Sequence, residues 1–402
     1  MTKRDADSAA KPAALVITPE SPYPVAGGGA LRCAPLLEYL ARRYTLDVVA
    51  FRERGAEDPA AKIPPQLARQ VHVLTLPYHS RSKLARVARN ASRFLRGAPP
   101  LVDRYAGLAR QLSATLGHRR YALAMIEHFW CAPYIDVACG LSDSVVLDLH
   151  NVESVLQQRS AIMEPWPAAI AFRRFAGAYR EMERRLLPRF DRVLVTSEED
   201  ARHVREIAPG AHLAIYPNTL AAVDLAPRHE DECVVFSGNL EYHANLVAVR
   251  YFHAQIWPIL RQRWPSLEWR LVGKNPHSVA PFVSGDPSIR LVGPVENAVE
   301  ELAKAKVAVV PLLAGSGTRF KILEAWAAGR AVVSTSVGAE GLGAGHGEHL
   351  LIADAPQSFA DAVSSLLEDQ GQRQRLGKAG RELYLEKFTW EAGWKILEQA
   401  GI

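Results

Sequence analysis

Residues 307–334 constrain the fold most, because they read in order as strand, glycine-rich loop, helix, glycine stop and strand. Val307-Ala308-Val309-Val310-Pro311 is a short apolar run of the kind that forms a buried parallel strand. Gly315 and Gly317 flank Ser316 and let backbone N–H groups approach a ligand, and Thr318 is expected to cap the helix that follows. Donors at a helix N-terminus favour an anion such as a diphosphate. Glu324 lies in this helix among Ile322, Leu323, Ala325 and Trp326. A carboxylate with such neighbours needs a partner, because burying it alone is costly, and ligand hydroxyls would serve. Taken alone, the segment also suits a plain βαβ unit with a capped helix and a salt-bridged acid.

Strand-like and helix-like segments alternate through the rest of the chain. Strands are expected at 15–18, 46–51, 71–76, 123–126, 145–149 and 193–196, then at 234–236, 269–272, 289–292, 307–310, 331–334 and 349–352. Such alternation implies parallel sheets covered on both faces by helices. With 402 residues the chain exceeds one typical core, so two domains are expected. The break falls at 217–232, which carries Pro217, Pro227 and a charged cluster and reads as a linker. The expected division is 1–216, linker 217–232, 233–387, and a terminal helix at 388–402 returning toward the first domain. The fold class is α/β, with two doubly wound, Rossmann-like parallel-sheet domains facing a cleft.

Composition narrows the function. No apolar run approaches the roughly 20 residues of a membrane span, and residues 1–11 are polar with no signal core, so a cytoplasmic protein is expected. Cys33, Cys131, Cys139 and Cys233 show neither metal spacing nor a disulfide framework, which fits a reducing compartment. A formal charge of +5 and a pI near 9.0 point to an anionic partner. No Asp-x-Asp or other ligand cluster is visible, so no metal is expected.

The order of motifs resembles the family 4 (group 1) retaining glycosyltransferases with a GT-B fold, over residues 12–400. In that family a Glu follows the loop, and a second Glu eight positions later precedes Ala-Met-Ala-x-Gly. Here Ser316 stands at the first position, and Glu324-Ala325-Trp326-Ala327-Ala328-Gly329 at the second. The family also places a Gly-Arg pair after the first strand of its second domain and a Lys shortly after. This chain has Gly238-Asn239 there, and Asn245 near the Lys position. Both cations are absent, so Lys274, Arg319 and Lys321 are the candidates to bind the donor's phosphates. A guanidinium offers a bidentate fork and an ammonium a point charge; each could equally be a solvated cation.

The resemblance assigns further roles. The loop ending Gly27-Gly28-Gly29 would face the donor phosphates, with Gly28 and Gly29 closest, although glycines also merely punctuate a surface loop. It is not a GxGxxG fingerprint, so a nicotinamide dehydrogenase is disfavoured. His150, just past the 145–149 strand, would contact sugar or acceptor as the catalytic candidate, or be structural. Gly293-Pro294-Val295-Glu296 matches the turn where Gly293 and Val295 would grip the nucleobase. Ser197 to Asp200 reads as a helix start, and Pro217-Asn218 as hinge-associated.

Arg81, Lys83, Arg86, Arg89, Arg93 and Arg96 run without an acid through a segment holding Leu84, Val87, Phe94 and Leu95. This is either a basic amphipathic helix at an anionic membrane or a solvated face. No aromatic interleaving suggests nucleic acid. The combined reading is a metal-independent, retaining transferase that moves a sugar from a nucleoside-diphosphate sugar to a glycan or lipid-linked acceptor. It would use no cofactor beyond the donor and sit in the cytoplasm, peripheral on the inner membrane face. No carboxylate pair suits double displacement, so the resemblance implies front-face attack, with the leaving phosphate taking the acceptor proton. The alternatives are a nucleotide-sugar epimerase on the same fold and a non-catalytic sugar-nucleotide scaffold.

Overall fold

The computed structural model describes residues 11–25, 27–80, 82–224, 229–315 and 318–402. The first sheet contains β1 (Ala13–Thr18), β2 (Thr45–Arg52), β3 (Gln70–Thr75), β4 (Leu123–Glu127), β5 (Val145–Asp148), β6 (Arg192–Val195) and β7 (Leu213–Ile215). The second contains β8 (Asp231–Ser237), β9 (Glu268–Val272), β10 (Ile289–Gly293), β11 (Ala305–Val310), β12 (Ala331–Ser334) and β13 (Leu351–Ile352). Every expected strand forms. β7 was not expected; its three residues are too short to show a period.

Strand order is β3-β2-β1-β4-β5-β6-β7 in the first sheet and β10-β9-β8-β11-β12-β13 in the second. Both follow the doubly wound 3-2-1-4-5-6 pattern, in which ligands gather where the strand order reverses. The reversal lies between β1 and β4, where Ile17 faces Ile126, and between β8 and β11, where Val307 faces Val234. The central strands are buried on both faces, and Ala14, Leu15 and Ile17 have no exposed surface. This burial on both sides is why they read as continuous apolar runs.

Under the second sheet, Phe252, Trp257 and Trp269 pack as one aromatic cluster, with Phe252 and Trp269 centroids 4.5 Å apart. Gly380, in the helix Gln370–Lys387, lies flat on Trp326, and a Cβ there would come within 2.3 Å of the indole. That contact fixes the helix Phe320–Ala327 from behind.

By contacts the chain forms two compact units. One is 1–150 with 181–194 and 208–213; the other is 151–180, 195–207 and 214–402. Segments 151–180 and 195–207, expected in the first domain, make their contacts within the second unit. The helix Trp390–Gln399 is capped by Thr389, and its Gly393 rests against Tyr216 and Thr219 of that same unit. Part of the expected linker, 225–228, lies outside the described residues. Among the described residues no helix is long and apolar enough to cross a membrane.

Candidate active site

At the carboxyl end of the first sheet, β4 ends in Glu127 and β5 in Asp148, and His150 follows two residues later. His150 Nε2 lies 2.9 Å from Glu127 Oε2 and 3.1 Å from Asp148 Oδ2. The helix Gly28–Arg43 contributes the next two groups. Arg32 donates through Nε (2.8 Å) and Nη2 (2.5 Å) to the two Asp148 oxygens, and the Cys33 thiol donates to Glu127 at 3.2 Å. All five side chains are buried.

Burial would push the Asp148 carboxyl up, but Arg32 and His150 outweigh it and hold it well below the usual range. Burial would likewise lower His150, yet Asp148 and Glu127 win and raise it, so the ring favours the imidazolium. Burial and then Asp148 raise Glu127, and burial with the two acids keeps the Cys33 thiol protonated.

His128 stacks on Trp130 at 4.2 Å and lies tilted against His150, with ring centres 3.5 Å apart, from a backbone with φ of +65°. Non-glycine residues with positive φ concentrate at functional sites. Gly29 packs here, because a Cβ on it would lie 3.3 Å from Glu20 Oε1 and 3.5 Å from His128 Nε2. Gly28 opens the same helix.

The sequence signalled His150 but none of its partners. Two strand-terminal acids, each followed within two residues by a His, were the available signal. Cys33, Glu127 and His150 bring a thiol, a carboxylate and an imidazole within 4.8 Å of one another, a set that could hold a metal ion. Cys33 is 94 residues from Glu127, so spacing could not reveal it. Hydrogen bonds among the three occupy these groups here, and Arg32 beside them disfavours a second cation. The same folding places Glu127 and Asp148 as a carboxylate pair that the sequence did not show, but both are sealed in around His150.

At the carboxyl end of the second sheet, β8 ends in Ser237 and passes into Gly238 and Asn239. The Ser237 hydroxyl donates to Glu324 Oε2 at 2.8 Å. Lys321, one turn earlier on that helix, donates to Asn245 Oδ1 at 2.7 Å and lies 4.6 Å from the Phe236 ring centre. Asn245 Nδ2 donates to the Asn239 carbonyl at 2.8 Å. Gly238 (φ +144°) and Gly273 (φ +143°) touch, and a Cβ on Gly273 would come within 1.8 Å of the Gly238 oxygen. Only glycine fits at either position. Gly273 donates in turn to the Gly293 carbonyl at 2.8 Å, which ties three strand ends together.

Burial raises Glu324, opposed by Ser237 and Lys321, and burial lowers Lys321 to about 7. Both side chains keep a partly open rim while densely surrounded.

Of the other expected cations, Arg319 is buried; it donates to the Val337 carbonyl at 3.3 Å and lies 3.9 Å from Glu340. Glu340 is itself gripped by Arg159, which also donates to the Gly315 carbonyl at 2.6 Å. Lys274 is exposed after β9, and Val295 sits half-buried in the turn after β10. Ser316, Gly317 and Arg81 lie outside the described residues.

Two expectations need correction. Thr318 does not cap the helix. Arg319 holds the cap position and no side chain bonds there, while the Thr318 hydroxyl accepts from Asn218 N (3.0 Å) and its N–H donates to Thr196 Oγ1 (3.1 Å). Arg93 is not on the exposed face of its helix, Lys83–Arg96. It is buried and paired to Asp103 at 2.8 Å, and Arg96 reaches the same carboxylate at 3.2 Å. Lys83 and Arg86 remain exposed beside Leu84, Val87 and Leu95, which are 86%, 65% and 80% exposed.

Residues 231–369 match the family described as Glycosyl transferases group 1. The chain is similar to that family over its second sheet, β8 to β13. Its likeness to solved structures bears out the GT-B fold. Sucrose-phosphate synthase from Thermosynechococcus elongatus has TM-score 0.71 and 19% identity, with 97% of this chain and 98% of that one covered. Anabaena HepE, solved with UDP and glucose, has TM-score 0.66 and 15% identity over 97% and 99%. S. aureus TarM, solved with UDP and α-GlcNAc-glycerol, has TM-score 0.68 and 11% identity over 96% and 99%. An uncharacterized Klebsiella pneumoniae protein of the cps region is 21% identical, over 87% of this chain and 89% of its own length. The second half of the chain is thus similar to group 1 glycosyl transferases, and the whole chain shares the fold of the solved structures.

Proposed function

We propose that this transferase moves a sugar from a nucleoside-diphosphate sugar to a hydroxyl of a glycan or lipid-linked intermediate in polysaccharide assembly. One observation carries the reading. Ser237, Gly238, Asn239, Asn245, Lys321 and Glu324 meet at the reversal point of the second sheet, where doubly wound folds take nucleotides. Glu324 takes ribose hydroxyls, Lys321 faces the diphosphate, and the turn at Gly293 and Val295 faces the base. His150, held as an imidazolium by its two carboxylates, is a hydrogen-bond donor and not a base, so it orients sugar or acceptor oxygens. The leaving phosphate takes the acceptor proton, and the enzyme acts by positioning and electrostatics. UDP in HepE and TarM supports a UDP-sugar donor, and the cps-region relative supports a polysaccharide acceptor. The basic helix Lys83–Arg96 supports an anionic membrane nearby.

The test is mass spectrometry of nucleotide sugars retained by the purified protein, then transfer to an acceptor panel with the product's anomeric configuration read by NMR. An α-linked product from an α-linked donor is expected. Conversion of donor without acceptor would favour the epimerase, and binding without turnover the scaffold.

A further inference from the structure

Resting on that donor reading, we propose that Lys321 is the cation that neutralises the donor's diphosphate in this chain, and that Asn245 is the positioning residue that aims it. Lys321 Nζ sits at the end of β8, only 3.2 Å from where a Cβ on Gly238 would lie. Its contacts are uncharged: the Asn245 amide oxygen at 2.7 Å and the Phe236 ring at 4.6 Å. The nearest acid, Glu324, gives its carboxylate to the Ser237 hydroxyl and forms no ion pair with Lys321. The ammonium is thus densely surrounded and pairs with no carboxylate among the described residues, an arrangement that costs free energy until an anion arrives.

The other candidates do not compete. Arg319 is committed to Val337 and Glu340, and Lys274 is exposed at the end of a different strand. Asn245 is buried, and both ends of its amide are used, Nδ2 on the Asn239 carbonyl and Oδ1 on Lys321. That orientation can only present an acceptor to the lysine. A cation at 245 would repel Lys321, and a carboxylate would supply the counter-ion that the diphosphate should provide. Gly238 keeps the pair in place, since a Cβ there would strike Asn245 Nδ2 at 2.9 Å.

The charged groups acting on Lys321 are Glu324, which favours its protonation, and Arg319, which opposes it; from β8 and the helix His243–Tyr251, Phe236 and Asn245 contact it. With burial dominant, the lysine loses its proton near pH 7 in the free protein. Diphosphate binding therefore takes up one proton from solvent above that pH, and affinity falls as pH rises.

The experiment is calorimetric titration of the full chain with UDP, GDP and ADP and with the matching monophosphates, at pH 6 to 9. The wild type should bind one diphosphate with affinity declining above pH 7. Lys321→Met should weaken that diphosphate by about 30-fold or more, about 2 kcal/mol, and the monophosphate by about threefold or less. Lys321→Arg should keep the preference but lose the pH slope. Asn245→Asp should weaken the diphosphate and move its pH dependence upward, and Asn245→Leu should weaken it without moving the monophosphate. Equal losses for both ligands in Lys321→Met, or a slope that survives Lys321→Arg, overturn the inference while leaving the donor reading intact. A wild type that binds none of the nucleotides overturns the donor reading, and this inference with it.

Discussion

At the end of the first sheet, Arg32 and His150 face Asp148 and Glu127, so two cations meet two acids within one buried cluster. At the end of the second sheet, Lys321 faces an amide and a ring, and Glu324 faces a hydroxyl. The same strand order thus carries one site compensated from within and one left for a ligand to compensate. A compensated cluster is expected to stabilise its surroundings. An uncompensated one is expected to hold the protein below its attainable stability, as functional sites commonly do.

Asp148→Asn should show the largest effect. It leaves the buried Arg32 guanidinium without a carboxylate, and removing one partner of a buried pair costs about 3–5 kcal/mol. The pH dependence follows from the two shifts. Asp148, with its pKa depressed, contributes stability above its unfolded value near 4 that is lost as pH falls. His150, with its pKa raised, contributes fully below about 6.5 and loses that contribution as pH rises through its folded value. Denaturation from pH 3 to 8 should therefore show a wild-type maximum that the variant lacks. A variant as stable as wild type would mean that the first site is not self-compensated.

The second site should respond in the opposite direction. Lys321→Met should stabilise the free protein by about 1–3 kcal/mol near pH 7. Because burial depresses this amine's pKa to about 7, the penalty is full below that pH and relaxes as pH rises toward the unfolded value near 10.4. Melting curves at pH 6 and 9 should thus differ between the two proteins mainly at pH 6. A destabilised variant would place Lys321 with the structural groups and erase the contrast. Glu324→Gln keeps an acceptor for Ser237 and should leave melting unchanged, while weakening nucleotide binding about tenfold through loss of charge-assisted bonds. Unchanged binding with a lower melting temperature would make Glu324 structural too.

The strands were legible because doubly buried parallel strands are apolar through their centres, as residues 14–17 of β1 and 307–310 of β11 are. The reversal points were not legible, because strand order is set by the pairing of distant segments. What was not legible were contacts between distant segments. Thr318 had every local reason to cap its helix, but Asn218 and Thr196 claimed its hydroxyl and N–H. His150 stood out at a strand end, whereas Arg32 and Cys33 look like ordinary residues of an amphipathic helix. Arg159, which holds the Gly315 carbonyl, gave no signal, because its partners are 156 and 181 residues away.

The basic helix Lys83–Arg96 carries the same contrast to the surface, and the smallest expected effect. The acid-free segment 81–96 suggested six free cations, but Asp103 on the next helix compensates Arg93 and Arg96 of this one. Lys83, Arg86 and Arg89 have no carboxylate partner among the described residues, and they flank exposed Leu84 and Val87. Each cation near an anionic surface contributes about 1 kcal/mol, so this patch supports weak, reversible binding that salt should screen. Flotation with neutral and anionic vesicles at low and high salt should show the wild type rising only with anionic lipid at low salt. Arg86→Glu with Arg89→Glu should abolish the rise, while Arg96→Gln, whose charge Asp103 already offsets, should barely change it. If the Arg96 variant lost as much as the double reversal, charge pairing would not decide which residues meet the membrane. Binding indifferent to lipid charge would make this helix a solvated face.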